Sequence, residues 1–205
     1  MRGTKLPVSI IMILTSLAGA IPLSTKAIEG ATSRGRIVTV IAPKDFQEAE
    51  LNQCQKVFDR QGFEVAIAST TTEPAIGMGR RIVLPEVTIS QIDLKGCLAL
   101  VITGGSGAKT YLWDNAQLHQ VVKQAYEERI VVAAICLAPG VLARAGILDG
   151  KEATVYPEAI AELEKGGAIF TDQPVVISDS IITGRDARAA KSFAIAIVQS
   201  VNERF

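Results

Sequence analysis

Cys136 stands where an apolar run stops. It follows Val131-Val132-Ala133-Ala134-Ile135 and precedes Leu137-Ala138-Pro139-Gly140-Val141-Leu142-Ala143-Arg144-Ala145-Gly146, the pattern of a buried strand, a sharp turn and a short helix. A thiol at such a turn faces unpaired backbone N–H groups and the positive end of a helix dipole, and both favour thiolate over thiol. Lowered from its ordinary value of about 8.5, a cysteine is a nucleophile near neutrality. The turn also aims the N–H of Leu137 at a developing oxyanion, as the nucleophile elbow of hydrolases does, although the flanking glycines of that motif are missing. Packing is the competing role, because free cysteine often fills cores as a small apolar residue.

Two further segments carry groups that could act with the thiol. Glu48 and Glu50 open the first helix, and a carboxyl there can reach across the ends of the strands; most glutamates in a first turn are instead solvated or serve the helix dipole. Gly104-Gly105-Ser106-Gly107 follows the strand Leu98-Ala99-Leu100-Val101-Ile102-Thr103 and can bring backbone N–H groups close to a ligand oxygen. It matches neither the dinucleotide fingerprint nor a P-loop with its lysine.

The elements that must position these groups alternate regularly. Strands are expected at Arg36–Ala42, Phe63–Ala68, Leu98–Thr103 and Val131–Ile135, with helices near 46–61 and 115–128. A short strand at Ala153–Tyr156, a helix near Pro157–Lys165, a hairpin around Ser178-Asp179-Ser180 and a last helix from Asp186 to Asn202 complete the chain. Strand and helix in alternation give an α/β fold with a doubly wound, mostly parallel sheet covered by helices on both faces. Ligands bind such sheets beyond the carboxyl ends of the strands, where the loop after Ala42, the glycine run and the Cys136 turn meet.

Composition bounds the rest. The chain has 205 residues, 48% of them hydrophobic and 5% aromatic, enough for one domain with an ample core. Twenty-one basic residues balance twenty-one acidic ones without a basic face, which argues against a nucleic-acid partner. Three cysteines, Cys54, Cys97 and Cys136, form no C-x-x-C, so neither a disulfide scaffold nor a metal cage is signalled. Residues 1–20 read as a secretory signal: Arg2 and Lys5, an apolar stretch, then Ala18-Gly19-Ala20 with small residues at a cleavage spacing. Residues 21–35 then form a loose tail ahead of a domain at 36–205. The expected location is periplasmic or secreted; the alternatives are an uncleaved membrane anchor or, with a different start site, the cytoplasm.

Taken together, Ala133-Ala134-Ile135-Cys136-Leu137-Ala138-Pro139, Ile102-Thr103-Gly104-Gly105, Glu50 and Ser192-Phe193-Ala194-Ile195-Ala196-Ile197-Val198 resemble the ThiJ/PfpI superfamily, over about Arg36 to Val201. The resemblance implies a flavodoxin-like fold related to class I glutamine amidotransferases, with Cys136 as nucleophilic and oxidisable thiol and Glu50 as the carboxyl bonded to it. It places the oxyanion site at the N–H groups of Gly105 and Leu137. A protonated Glu50 donating to a Cys136 thiolate fits those roles.

Two departures narrow the chemistry. Protease-like members place a histidine directly after the cysteine, where this chain has Leu137, and smaller stress-protein members place one at the position of Tyr156. The single histidine, His119, sits on a helix expected to face outward, so no Cys–His dyad is available. Tyr156 is retained as a hydrogen-bond donor to a substrate oxygen. Arg185 and Arg188, before the last helix, are read either as anion-recognition residues at the rim or as solvated helix-start residues.

The resemblance implies glyoxalase or deglycase chemistry on small reactive aldehydes or glycation adducts, with neither metal nor organic cofactor. The alternative is a non-enzymatic redox or oxidative-stress sensor, or a chaperone-like protein, using oxidation of Cys136. A homodimer, with a small aldehyde or oxidant as partner, is implied in either case.

Overall fold

Val131–Ile135 is buried along its whole length, so this strand needs cover on both faces and takes an interior place in a sheet. In the computed structural model, which describes Met1 and residues 34–205, seven strands form that sheet. In chain order they are β1 Arg36–Val40, β2 Glu64–Ser69, β3 Val87–Thr88, β4 Cys97–Ile102, β5 Val131–Ile135, β6 Val175–Ser178 and β7 Ile181–Gly184. Their spatial order is β6-β7-β5-β4-β1-β2-β3, parallel throughout except for the antiparallel edge pair β6 and β7. This is the mixed α/β, flavodoxin-like architecture expected from the alternating pattern.

Among the described residues five α-helices cover the sheet: α1 Glu48–Arg60, α2 Ala116–Glu127, α3 Pro139–Arg144, α4 Ile160–Lys165 and α5 Ala190–Arg204. Alternation along each strand divides the core in two. Ile37, Ala99 and Val131 pack with Cys54 and Phe58 of α1 and Phe193 and Ile197 of α5. Val38, Leu100 and Val132 pack with Leu118 and Val122 of α2, Leu142 of α3 and Leu163 of α4. Asn115 caps α2 as its side-chain type predicts, accepting from the N–H of Leu118 at 2.9 Å.

Several boundaries move for local reasons. The first helix starts at Glu48 because Lys44–Phe46 forms a short strand against Ala75–Gly77, which pairs in turn with Ile82–Val83. This three-stranded flap has no clear sequence period, and nothing in the sequence separates it from loop. The strand expected at Ala153–Tyr156 shortens to Glu152–Ala153, paired with Ile169–Phe170, and Pro157 then starts a 3₁₀ turn. Asp186 caps a 3₁₀ turn at Ala187–Ala189 rather than α5 itself. His119 is half-buried, with Nε2 2.7 Å from the Trp113 carbonyl. The expected signal segment and tail fall almost wholly outside the described residues, and among the described residues no helix is long and apolar enough to cross a membrane.

Phe193 is fully buried between α5 and the sheet. Phe193→Ala is expected to destabilise the fold by about 4 kcal/mol, read as a lower urea midpoint with an unchanged slope.

Candidate active site

Because β1, β4, β5 and β7 are parallel, their carboxyl ends share one edge of the sheet, and the chain leaving each of them contributes to one cavity of about 420 Å³. Glu50, Gly105, Cys136, Leu137 and Tyr156 all line it. The cysteine is the residue on which the others converge.

Cys136 has φ +63°, in the left-handed region that a non-glycine residue enters only when its surroundings hold it there. Two main-chain hydrogen bonds do so. Its N–H donates to the Gly184 carbonyl at the end of β7, and its carbonyl accepts from the N–H of Tyr156, both at 2.9 Å. The reversal turns the chain out of β5 and into α3, whose first residue is Pro139. Gly104 makes room: a Cβ there would lie 2.6 Å from Cys136 Cβ and 2.9 Å from the nitrogen of Leu137. Gly105, at φ +94°, passes so close to the backbone of Asp45 and Gln47 that a side chain would collide with it.

The turn is also anchored from behind. Trp113 is 6% exposed and donates from Nε1 to the Leu137 carbonyl at 2.7 Å. Arg144 stacks on its ring at 5.0 Å and Lys109 at 5.4 Å, which fixes the indole's orientation.

Glu50 is fully buried. Its Oε2 accepts from the N–H of Gly104 at 2.7 Å, while Oε1 lacks a nitrogen or oxygen partner and the carboxyl's remaining interaction is with the Cys136 thiol. Burial pushes Glu50 up to about 7, against the pull of the Gly104 N–H and the thiol, with the negative charge of Asp186 adding to the rise.

Cys136 differs from the expectation drawn from the turn alone. Burial, and then the charge of Glu50, push the thiol up to about 12, and they outweigh the N–H groups of Gly105 and Leu137 that pull it down. Helix-end and backbone dipoles are weaker here than removal from water beside a carboxylate. The two groups are therefore coupled: an ionised Glu50 holds the proton on sulfur, and a protonated Glu50 lifts that restraint and can donate to the thiolate. Cys136 is half-buried, whereas Cys54 and Cys97 are buried, and burial raises both of those thiols.

Met78 and Asp186, which also line the cavity, were not singled out by type or spacing, whereas Arg188 was. Met78, half exposed, follows the middle strand of the flap in the turn toward Ile82–Val83, and the flap docks on α1 through hydrogen bonds from the N–H groups of Gly79 and Arg81 to Glu48 Oε1. Asp186 is 7% exposed and pairs with Arg188 at 2.9 Å and Arg185 at 3.5 Å. Arg185 is also tied to Asp172 at 2.6 Å, and Arg188 reaches the cavity wall. His119 is absent from that wall.

A doubly wound, mostly parallel sheet with a half-buried cysteine at a left-handed strand-to-helix turn, backed by a buried carboxyl, defines a flavodoxin-like protein with a thiol and a carboxyl facing each other beyond the strand ends. Residues 36–200 match the model of the DJ-1/PfpI family, and the chain belongs to that family. It is 44% identical over 170 residues to an uncharacterized protein of Methanocaldococcus jannaschii, covering 82% of this chain and 83% of that one. It is 30% identical over 163 residues to a Caenorhabditis elegans protein named glutathione-independent glyoxalase, covering 79% and 86%. Among solved structures it is similar to a ThiJ/PfpI domain protein of Brachyspira murdochii, with a TM-score of 0.80, 27% identity and coverage of 82% and 96%.

Two outcomes are expected from this geometry. Glu50 binds its proton more tightly in the folded chain than at its ordinary value of 4.5, so between about 4.5 and 7 the folded state holds the extra proton and stability falls as pH rises. Glu50→Gln should flatten that part of the stability–pH curve, a difference on the order of 3 kcal/mol across the window, measured by urea unfolding. Trp113→Phe, which leaves the Leu137 carbonyl without its donor, should lower stability by about 2 kcal/mol and slow alkylation of Cys136 relative to the parent protein.

Proposed function

We propose that the protein is a cysteine-dependent enzyme acting on small reactive aldehydes, of glyoxalase or deglycase type. The observation that carries this reading is the buried pairing of the Cys136 thiol with Glu50 at a cavity where the N–H groups of Gly105 and Leu137 both act on the sulfur. The relative named as a glyoxalase supports it.

With Glu50 raised to about 7, its carboxylate is a far better base than an ordinary glutamate and can take the thiol proton as sulfur attacks. On a 1,2-dicarbonyl, Sγ bonds to the aldehyde carbon while the C=O electron pair moves to oxygen, where the two N–H groups receive the charge. Glu50 returns the proton to that oxygen, giving a hemithioacetal. Glu50 next removes the proton on the same carbon, and an enediol forms with the neighbouring carbonyl. Proton return to the neighbouring carbon leaves a thioester, and water cleaves it to a 2-hydroxy acid and the thiol. One carbon is oxidised and its neighbour reduced, so the sum is dicarbonyl plus water and no outside oxidant enters. Tyr156, 42% exposed at the wall, donates to the second carbonyl oxygen.

A second reading rests on exposure: Cys136 is the half-buried cysteine of three, and a protonated Glu50 with two N–H groups suits a sulfinate. In that case peroxide oxidises Cys136 and aldehydes are not turned over.

Methylglyoxal consumption and lactate formation distinguish the two. Cys136→Ser should abolish turnover, Glu50→Gln should lower kcat by about 10²-fold or more, and Tyr156→Phe should cost less than either. Turnover that survives in Cys136→Ser would sink the enzymatic reading at this site.

A further inference from the structure

We propose that Arg188 is a specificity residue that binds a carboxylate on the substrate, so that the cavity prefers short aldehydes bearing an acid group over neutral ones. This rests on the aldehyde reading above and narrows its substrate class.

Among the described residues that line the cavity, Arg188 is the one cation. Its side chain is 87% exposed, yet it is not loosely placed. Asp186 accepts from its Nη2 at 2.9 Å, from its Nε at 3.4 Å and from its own backbone N–H at 2.8 Å, so the guanidinium is held by a nearly buried carboxylate on the same turn. Nη1 makes no hydrogen bond among the described residues. A guanidinium presents its donors in one plane, and a fork already oriented loses little further freedom when a second carboxylate arrives.

The charges around it alternate along a chain. Asp172 pairs with Arg185, Arg185 also meets Asp186, and Asp186 pairs with Arg188. The two inner members each share their charge between two partners, whereas Arg188, at the cavity end, has one. An incoming carboxylate continues the alternation there. Of the two further acids at this wall, Glu50 is bonded to the Gly104 N–H and Glu158 is taken up by Lys109 at 2.8 Å. The Cys136 N–H bond to the Gly184 carbonyl ties the start of this Arg185–Arg188 turn to the thiol's own backbone. A small molecule bound at Arg188 therefore lies in the same cavity as the sulfur.

The test uses two alkylating reagents that differ in charge, iodoacetate and iodoacetamide, on the full chain. The iodoacetate-to-iodoacetamide rate ratio at Cys136 should fall about tenfold in Arg188→Gln, and Arg188→Lys, which keeps the charge without the fork, should lie between. An unchanged ratio overturns the proposal. Binding is read without the thiol as well: Cys136→Ser titrated with glyoxylate should show saturable amide shifts by NMR that Arg188→Gln abolishes, and no saturation overturns it. Steady-state comparison of 4,5-dioxopentanoate, a 1,2-dicarbonyl that also carries a carboxylate, with methylglyoxal separates the two proposals. Charge-selective alkylation without turnover removes the enzymatic reading and keeps Arg188 as an anion site, whereas turnover with no preference for the acid removes Arg188 and keeps the enzyme.

Discussion

Everything at the cavity depends on one backbone constraint, the left-handed conformation of Cys136 at the end of β5. An L residue does not hold φ +63° without help, and help comes from both sides of the chain: the Gly184 carbonyl, the Tyr156 N–H and, through Leu137, the Trp113 indole. These contacts come from β7, from the segment before α4, and from the turn before α2. The elbow is therefore a product of the assembled sheet, and its strain is carried by elements far apart in sequence. Gly104 and Gly105 serve the same constraint, since a side chain on either would occupy space that Cys136 or the α1 entry needs.

The same geometry sets the electrostatics. Bringing Glu50 under the turn satisfies Oε2 with the Gly104 N–H but takes the carboxyl out of water, and the result is a carboxyl and a thiol that titrate as a pair. A thiol alone at a helix start would be acidified. Here burial beside an ionisable carboxyl reverses that tendency and makes the ionisation of the thiol conditional on where one proton sits. Such a pair destabilises the fold somewhat above the ordinary glutamate range, because burial there opposes ionisation of the carboxyl.

Much of this was legible before folding. The apolar run into Cys136, the Pro139 that starts α3, the asparagine cap of α2 and the alternation of strand and helix are local signals, and the structure follows them because short-range sterics and hydrophobic period decide them. The flap at Ala75–Val83 was not legible: its strands are two or three residues long, with no period to read. Asp186 and Arg188 were visible as residues, but their pairing and their place on the cavity wall depend on where β7 ends relative to β5.

By itself, then, the sequence determined the element types, the two-faced core and the thiol's position at a turn, since each follows from neighbours within a few residues. The family resemblance already named Glu50 and Tyr156, but only the tertiary structure decided that the thiol is raised rather than lowered and that Arg188 shares its cavity. Those outcomes rest on burial and on distances between strands, which arise when β1, β4, β5 and β7 align their carboxyl ends and not before.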